Sequence, residues 1–553
     1  MPGLSPKDLL LAPRLEPDEV TALLTPYRFQ DIKKADANLQ LIADEPRARH
    51  LLAEILEELL DCLARSPDPD QALNYLERFT KATYNKVQLF SYLKASPYTL
   101  WLLAKLLASS PFLSEILIRN PPYLYWIADP QTLDADRTKA SLARELAKSF
   151  DTFKNRERRL RTLCLFKRKE LLRIGVRDLL GKSTVDQTTV ALSTLAEVIL
   201  QKTYELCEES LQNDYGIPRR SQSTANRAVA AFTILGMGKL GGGELNFSSD
   251  VDLLYLYDSP DGKTSGSPLG GPATRISNRE YFQRLAQAVT SSLTEVTNDG
   301  YLYRTDLRLR PEGKSGTIAS ALTDALHYYT KRGETWERLA LLKAWPVAGS
   351  QPLGRRFLTS ASPFIYRQPF SLKNLSEVRA IKAAIDRTME DRGELERNVK
   401  LGRGGIREIE FLVQSIQAFF GAKRTSLRER NTLRALEKLR RHRILDRETA
   451  SHLGDAYRFL RNVEHRLQMV HELQTHSLPS EMEQLRICAL RLDYRDTQNA
   501  TAVEQLLNDY RLHTGRVHRI FRTFFATPKH SSILQAAQSG RAHPASKRLA
   551  KNR

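Results

Sequence analysis

Asp250 and Asp252 stand two residues apart at the mouth of an apolar, β-prone run, Val251 to Tyr257. In extended backbone alternate side chains leave the same face, so the two carboxylates are presented together while Val251 turns away. Two carboxylates held side by side repel unless a cation lies between them. Hard divalent ions such as magnesium take oxygen ligands of this kind and keep part of their shell for water and phosphate. Just upstream, Ala231-Phe-Thr-Ile-Leu-Gly-Met-Gly-Lys-Leu-Gly-Gly-Gly243 reads as a buried strand ending in a glycine turn. The whole stretch reads as a site for a metal and a phosphate.

Four readings of it compete. Gly236-Met-Gly238-Lys-Leu-Gly241 satisfies the dinucleotide fingerprint G-x-G-x-x-G, but that fingerprint needs a long helix next. Here a poor helix former, Gly-Gly-Gly-Glu-Leu-Asn-Phe-Ser-Ser, leads straight into a second strand. A phosphate loop of the G-x-x-x-x-G-K-[ST] type fails as well, because Thr233 and Leu240 occupy its first and last positions. A plain hairpin with solvated aspartates is the third reading. The fourth is the polymerase-β-like nucleotidyltransferase pattern, in which a glycine turn closes the first strand and acidic-apolar-acidic-apolar opens the second. Gly238-Lys239 followed by Asp250-Val-Asp252-Leu253 is similar to it. Lys239 stands where such folds often carry Gly or Ser, and offers a phosphate a point charge.

Further along, Gly300 to Gly313 alternates as a strand does. Tyr303, Thr305, Leu307 and Leu309 take one face; Arg304, Asp306, Arg308 and Arg310 take the other. Asp306 is either part of an ion-paired surface or the third carboxylate of the metal site, placed to draw a proton from an attacking oxygen. Glu334 to Trp345 reads as a helix stopped by Pro346. Lys343 falls on its inward stripe, where it either snorkels out or reaches a phosphate in the cleft. Lys400 to Gln414 is a glycine loop opening a helix, whose first N–H groups can hold an anion. Glu408 and Glu410 diverge on that helix, and one is a first-turn charge favoured by the helix dipole. His465, His471 and His476 do not share a ligand spacing and read as structural.

These stretches must be carried by a chain of 553 residues, long enough for two to four domains. It is 41% hydrophobic and 27% charged, the balance of an ordinary soluble protein. There is no apolar run of about 18 residues, which predicts no membrane partner, and no amino-terminal signal segment. Four widely spaced cysteines fit neither a zinc site nor a disulfide framework and predict a cytoplasmic protein. The net charge of +20 and pI near 9.7 favour a polyanionic partner. Basic residues cluster in Lys154 to Arg173, Lys423 to Arg443 and Arg541 to Arg553, without the aromatic interleaving of an RNA-binding module, so nucleic acid is disfavoured.

The expected fold class is α+β, mostly helical, with a polymerase-β-like core sheet flanked by helical domains. Residues 1–182 form an amino-terminal helical domain, with the first 35 or so loosely ordered. Residues 183–346 form the catalytic domain, which includes a mobile loop from Ser259 to Asn278. Residues 347–530 form a helical bundle, and 531–553 a basic, disordered tail. Within the first domain, Leu163 to Gly181 reads as a basic amphipathic helix closed by a glycine.

The motifs together carry a resemblance. Leu235 to Asp252, Asp306-Leu-Arg-Leu-Arg-Pro311, Trp336 to Ala344, Gly402-Arg-Gly-Gly-Ile-Arg-Glu-Ile-Glu-Phe411, Leu171 to Gly181 and Gln474-Thr-His-Ser-Leu-Pro479 look like the bifunctional glutamine synthetase adenylyltransferase/adenylyl-removing enzyme. That family carries two similar nucleotidyltransferase halves. The Gly-Glu-Leu-Asn-Phe-Ser-Ser-Asp and Gly-Gly-Ile-Arg-Glu-Ile-Glu-Phe forms resemble the first, which removes AMP from a glutamine synthetase tyrosine using orthophosphate. No second copy of these motifs is present, so the chain looks like a single module. The resemblance implies one or two magnesium ions on Asp250, Asp252 and Asp306, which are also the catalytic residues. It implies nucleotide or phosphate binding by Gly238, Lys239, Ser249, Arg308, Arg310 and Lys343. Glutamine synthetase, the PII signalling protein, phosphate and ADP or ATP are the implied partners. The competing functions are adenylylation of the same tyrosine with ATP, nucleotidyl transfer to a nucleic acid, and a non-catalytic docking module.

Overall fold

The computed structural model describes residues 4–221, 228–268, 275–367, 370–471 and 475–526. It is mostly helical with one small mixed sheet. The basic stretch 531–553 lies outside the described residues, as do 269–274 of the predicted mobile loop. No helix of the described residues is long and apolar enough to cross a membrane.

The chain divides into two compact units that do not follow a simple sequential order. One comprises residues 1–136, 168–188 and 462–509; the other comprises 137–167, 189–461 and 510–553. The first unit is helical. Prolines that interrupt the apolar pattern are helix starts: Pro69, Pro97 and Pro111 each open a helix, and Asp68, Ser96 and Ser110 cap the first turns. Proline suits that position because its missing N–H would have no partner there. Residues 4–35 are not loose. Helices Asp8–Leu11, Pro17–Leu24 and Ile32–Ile42 bury Leu9, Leu10, Leu24 and Leu39, so apolar burial offsets the proline punctuation. The basic helix spans Arg156–Leu179, and Gly181 beyond it takes a left-handed φ of +65°.

The second unit contains the sheet, with strands β1 (Phe232–Gly236), β2 (Val251–Tyr257), β3 (Thr305–Asp306), β4 (Ala319–Ala321) and β5 (Trp345–Gly349). β1 lies between β2 and β5 and is antiparallel to both. The other edge of β2 is shared by β3 and β4, both parallel to it. β2 is buried along nearly its whole length, which explains its continuous apolar run. Tyr204, Tyr255 and Phe282 stack around Phe232 at centroid separations of 5.9, 5.8 and 5.7 Å.

Three expectations are corrected here. The alternation from Gly300 to Gly313 yields only a two-residue strand, because Arg308 and Arg310 fold back onto Asp306 and the backbone of Leu307 to Gly316. The helix after Glu334 ends at Leu341, and Trp345 to Gly349 is strand β5. Pro346 is tolerated there because β5 is an edge strand and its ladder is irregular at the Ile234/Leu235 step. The described part of the Ser259 to Asn278 loop is pinned rather than loose. Thr264 is fully buried, its N–H donates to Ile276 O at 3.0 Å, and Ser265 N–H donates to Ile217 O at 2.9 Å.

Phe232→Ala is expected to cost the sheet unit about 3–5 kcal/mol, the usual range for deleting a large core aromatic. Val229→Ala, at a 48% exposed position, should change stability by less than about 0.5 kcal/mol. Denaturant melts followed by circular dichroism would show a lowered midpoint for the first variant only.

Candidate active site

The register of β2 against β3 sets Asp252 directly opposite Asp306. Asp250 lies two residues before Asp252, so the three carboxylates stand on one side of neighbouring strands. Around the corner, Gly238–Gly242 forms a single helical turn after β1. Gly238 has φ +50°, and a Cβ there would lie 2.5 Å from Asp252 Oδ2. Glycine is therefore required for the turn to run against the carboxylate. The Met237 N–H also donates to the Asp252 carbonyl at 2.8 Å, tying turn and strand together.

Two of the three carboxylates are countered by arginine. Arg304 Nε donates to Asp250 Oδ1 at 2.7 Å, and its terminal nitrogens hold Ser248 O and the Tyr301 hydroxyl. Arg308 donates its backbone N–H and its guanidinium to Asp306, the closest contact being 2.5 Å. Burial raises the Asp306 carboxyl, but these bonds outweigh it and hold it below its ordinary value. Asp252 has no such partner. Burial, and then Asp306 and Asp250, push it up to about 6 against the pull of Lys400 and Arg407. Among the described residues no three His, Cys, Asp or Glu side chains converge as a preformed metal cluster. The donor set nevertheless fits a hard cation: oxygen ligands only, on adjacent strands, with a part-buried carboxylate destabilised by its neighbours.

The remaining predicted residues fall into distinct places. Lys239 is part-buried in the turn, close enough to Glu410 to draw its carboxyl down. The Ser249 hydroxyl accepts the Asn246 N–H at 3.2 Å and closes the bend ahead of Asp250. Arg310 spends its guanidinium on the carbonyls of Leu307, Lys314 and Gly316. Lys343 neither snorkels nor opens to the cleft. It is buried, and its Nζ donates to Glu244 Oε2 at 2.6 Å, Glu410 Oε1 at 3.1 Å and Thr432 Oγ1 at 3.1 Å. With all three ammonium protons engaged, Lys343 anchors the segment after the glycine turn. Glu408 and Glu410 do diverge, but both are buried in ion pairs rather than displayed as first-turn charges. Glu408 meets Lys382 and His518, while Glu410 meets Lys343 and Arg407.

Several residues were not singled out from the sequence. Arg304 was visible only as a member of the arginine face beside Asp306. Lys400 and Arg407 belong to the glycine loop and helix start recognised as a possible anion holder, and their charges act on Asp252 from about 150 residues away in sequence. Arg430 donates to Gly241 O at 2.6 Å while lying over the Trp345 ring. Arg461, fully buried, holds Glu244 O at 2.6 Å and the Asn246 side chain. Nothing local marks either arginine.

Residues 100–360 match the family model for glutamate-ammonia ligase adenylyltransferase, and residues 378–525 match that for GlnD PII-uridylyltransferase. Among curated proteins the chain is similar to bifunctional glutamine synthetase adenylyltransferase/adenylyl-removing enzymes. The enzyme of Xanthomonas campestris pv. campestris (strain B100) is 38% identical over 78% of this chain and 43% of its own length. That of Nitrosococcus oceani is 35% identical over 85% of this chain and 46% of its own. That of Stenotrophomonas maltophilia (strain K279a) is 41% identical over 58% and 33% respectively. The chain thus matches less than half the length of these relatives.

Lys343→Met leaves Glu244 buried without its cation and Glu410 with Arg407 alone, and is expected to cost about 3–5 kcal/mol. In the parent chain the folded Glu410 carboxyl lies below its ordinary 4.5, so its contribution is present above that pH and is lost on acidification through the folded value. In the variant the Glu410 carboxyl loses Lys343 and rises, so lowering the pH should restore stability instead. Urea midpoints should therefore rise for the variant as the pH falls from 7 to 4.5, and fall for the parent between pH 4.5 and about pH 2.

Proposed function

We propose that this chain is a metal-dependent nucleotidyltransferase that removes AMP from an adenylylated tyrosine of glutamine synthetase by phosphorolysis. The observation that carries this reading is the placement of Asp250, Asp252 and Asp306 on adjacent strands against the Gly238 turn, in a region similar to adenylyltransferase/adenylyl-removing enzymes. The sheet then serves as a polymerase-β-like catalytic core. The choice of removal over addition rests on the Gly-Glu-Leu-Asn-Phe-Ser-Ser-Asp and Gly-Gly-Ile-Arg-Glu-Ile-Glu-Phe sequences, which resemble the first half of such enzymes. The match at 378–525 supports a PII-type protein as a regulator, and the setting proposed is cytoplasmic.

In this reaction an oxygen of orthophosphate attacks the phosphorus of tyrosyl-AMP. The new P–O bond makes ADP, and the bond to the tyrosine oxygen breaks, the phenolate taking up a proton. Magnesium held by Asp250, Asp252 and Asp306 would neutralise phosphate oxygens. The protein's own residues do the rest. Gly238 lets the backbone of the turn approach the phosphates without a side chain in the way, and Lys239 adds a charge beside them. Lys400 and Arg407, which already act on Asp252, supply positive potential on the opposite wall. Arg308, 70% exposed, can exchange Asp306 for a phosphate oxygen, which frees that carboxylate to bind metal or accept a proton. Ser249 sets the bend that presents Asp250. Arg310 and Lys343 act by fixing backbone, not by touching substrate.

The test uses adenylylated glutamine synthetase with magnesium and orthophosphate, and unmodified glutamine synthetase with magnesium and ATP in parallel. ADP release in the first reaction is expected. AMP incorporation in the second alone would assign the module to the forward reaction, and silence in both would favour a docking role. Asp250→Asn with Asp252→Asn should lower ADP release by about a thousandfold or more with an unchanged circular dichroism spectrum. Undiminished turnover would refute the carboxylate assignment.

A further inference from the structure

The helical unit of residues 1–136, 168–188 and 462–509 encloses a cavity of about 400 Å³ that the proposed reaction does not use. It has an inside and an outside. Ser66, Leu179, Arg466, Leu490 and Arg491 line it as buried residues, whereas Arg65, Trp101, Asp493 and Arg495 are exposed at its mouth. The lining carries five cationic side chains; Arg65, Arg466 and Arg495 pair with Asp61, Asp178 and Asp493, which leaves Lys105 and Arg491 without a carboxylate among the described residues. That imbalance in a partly enclosed space favours an anion.

Two polar atoms of the lining residues, themselves out of reach of solvent, have no partner among the described residues. Ser66 and Arg491 are each more than nine-tenths buried, yet Ser66 Oγ and Arg491 Nε make no hydrogen bond. One terminal nitrogen of Arg491 donates to Gln71 Oε1 at 3.1 Å, and Asp68 reaches it only through its field. Among the described residues no carboxylate lies within ion-pair distance of Arg491. Its neighbour Arg466 is different, since it is paired with Asp178. A buried guanidinium without a carboxylate partner is costly on its own, and a phosphate oxygen is the acceptor that would offset it. At the mouth, the indole of Trp101 is 41% exposed with Lys105 lying over it at 5.5 Å. Leu179 and Leu490 continue the apolar wall inward.

We infer that this cavity binds a small aromatic phosphate monoester, with the phosphate at Arg491 and the planar body against Trp101. The volume suits a ligand of that size. The arrangement separates charge from ring, which inorganic phosphate alone would not need. A nucleoside monophosphate has this chemistry, and binding here would be independent of the carboxylates on the sheet.

The experiment uses the full chain carrying Asp250→Asn and Asp252→Asn, in EDTA, so that the carboxylate site cannot take up a metal-bound nucleotide. Titration calorimetry with AMP should show one saturable site per chain, at least tenfold tighter than for inorganic phosphate. Arg491→Gln and, at the exposed mouth where folding is not at stake, Trp101→Ala should each weaken AMP binding at least tenfold, with Arg491→Lys intermediate. AMP should also shift the tryptophan emission, and Trp101→Phe should remove that shift. Equal affinity for AMP and phosphate would overturn the planar-body assignment. Absence of saturable binding, or binding indifferent to both Arg491→Gln and Trp101→Ala, would overturn the site.

Discussion

The second unit depends on one buried ammonium. Lys343 sits between Glu244, in the segment after the glycine turn, and Glu410, on the helix that follows the second glycine loop. An isolated charge in that position would be prohibitive, and so would two carboxylates without it. The three groups are stable only together, with the Thr432 hydroxyl taking the last ammonium proton and the Thr432 N–H satisfying the other Glu244 oxygen. This fixes the path of residues 238–246. That path in turn decides where β2 begins and which way Asp250 and Asp252 face. Buried ion clusters are poor sources of net stability, but they tolerate few alternative arrangements, and here the arrangement is what positions the site.

A second constraint runs along the carboxylates. Asp250, Asp252 and Asp306 crowd one side of two parallel strands, and the protein answers the repulsion with Arg304 and Arg308. Asp252 is left to bear the burial and its neighbours' charge. The arrangement is graded. Arg304 is locked by two further hydrogen bonds to Ser248 and Tyr301, whereas Arg308 holds Asp306 from an exposed position. The first carboxylate is thus bound firmly and the third can be released, so exchange of a positive partner is easiest where β3 is shortest.

What could be read from the sequence was local. β1, the glycine turn and β2 follow from apolar runs bracketed by glycines and aspartates, and the pairing of Asp250 with Asp252 follows from a period of two. Asp306 was recognisable because a strand must carry it past β2. Its neighbours were over-read: alternation continues through Arg308 and Arg310, yet their bonds to Asp306 and to local carbonyls curl the chain away. β5 was invisible because Trp345-Pro346 looks like a helix stop, and only an edge position with a locally irregular ladder lets a proline pair. Lys343 was misplaced for the opposite reason. Its partners lie 99 and 67 residues away, and no spacing rule reaches that far. Arg430 stands in the bend before helix Thr432–Arg441 and Arg461 within helix Arg447–His471, and no local pattern separates either from the exposed arginines nearby.

Arg461 shows what this means for the limits of the sheet's supporting scaffold. It is fully buried, and it grips the carbonyl of Glu244 and the side chain of Asn246 from a helix more than 200 residues downstream. A cut after Pro346, where the strands of the sheet are nearly complete, would remove Glu410, Thr432 and Arg461 together. It would leave Lys343 and Glu244 to share a water-exposed seam. The smallest autonomous piece able to hold the aspartates in place therefore extends well past the last strand. The helices after it belong to the scaffold of the three aspartates as fully as the sheet does, rather than forming an accessory that could be exchanged or lost.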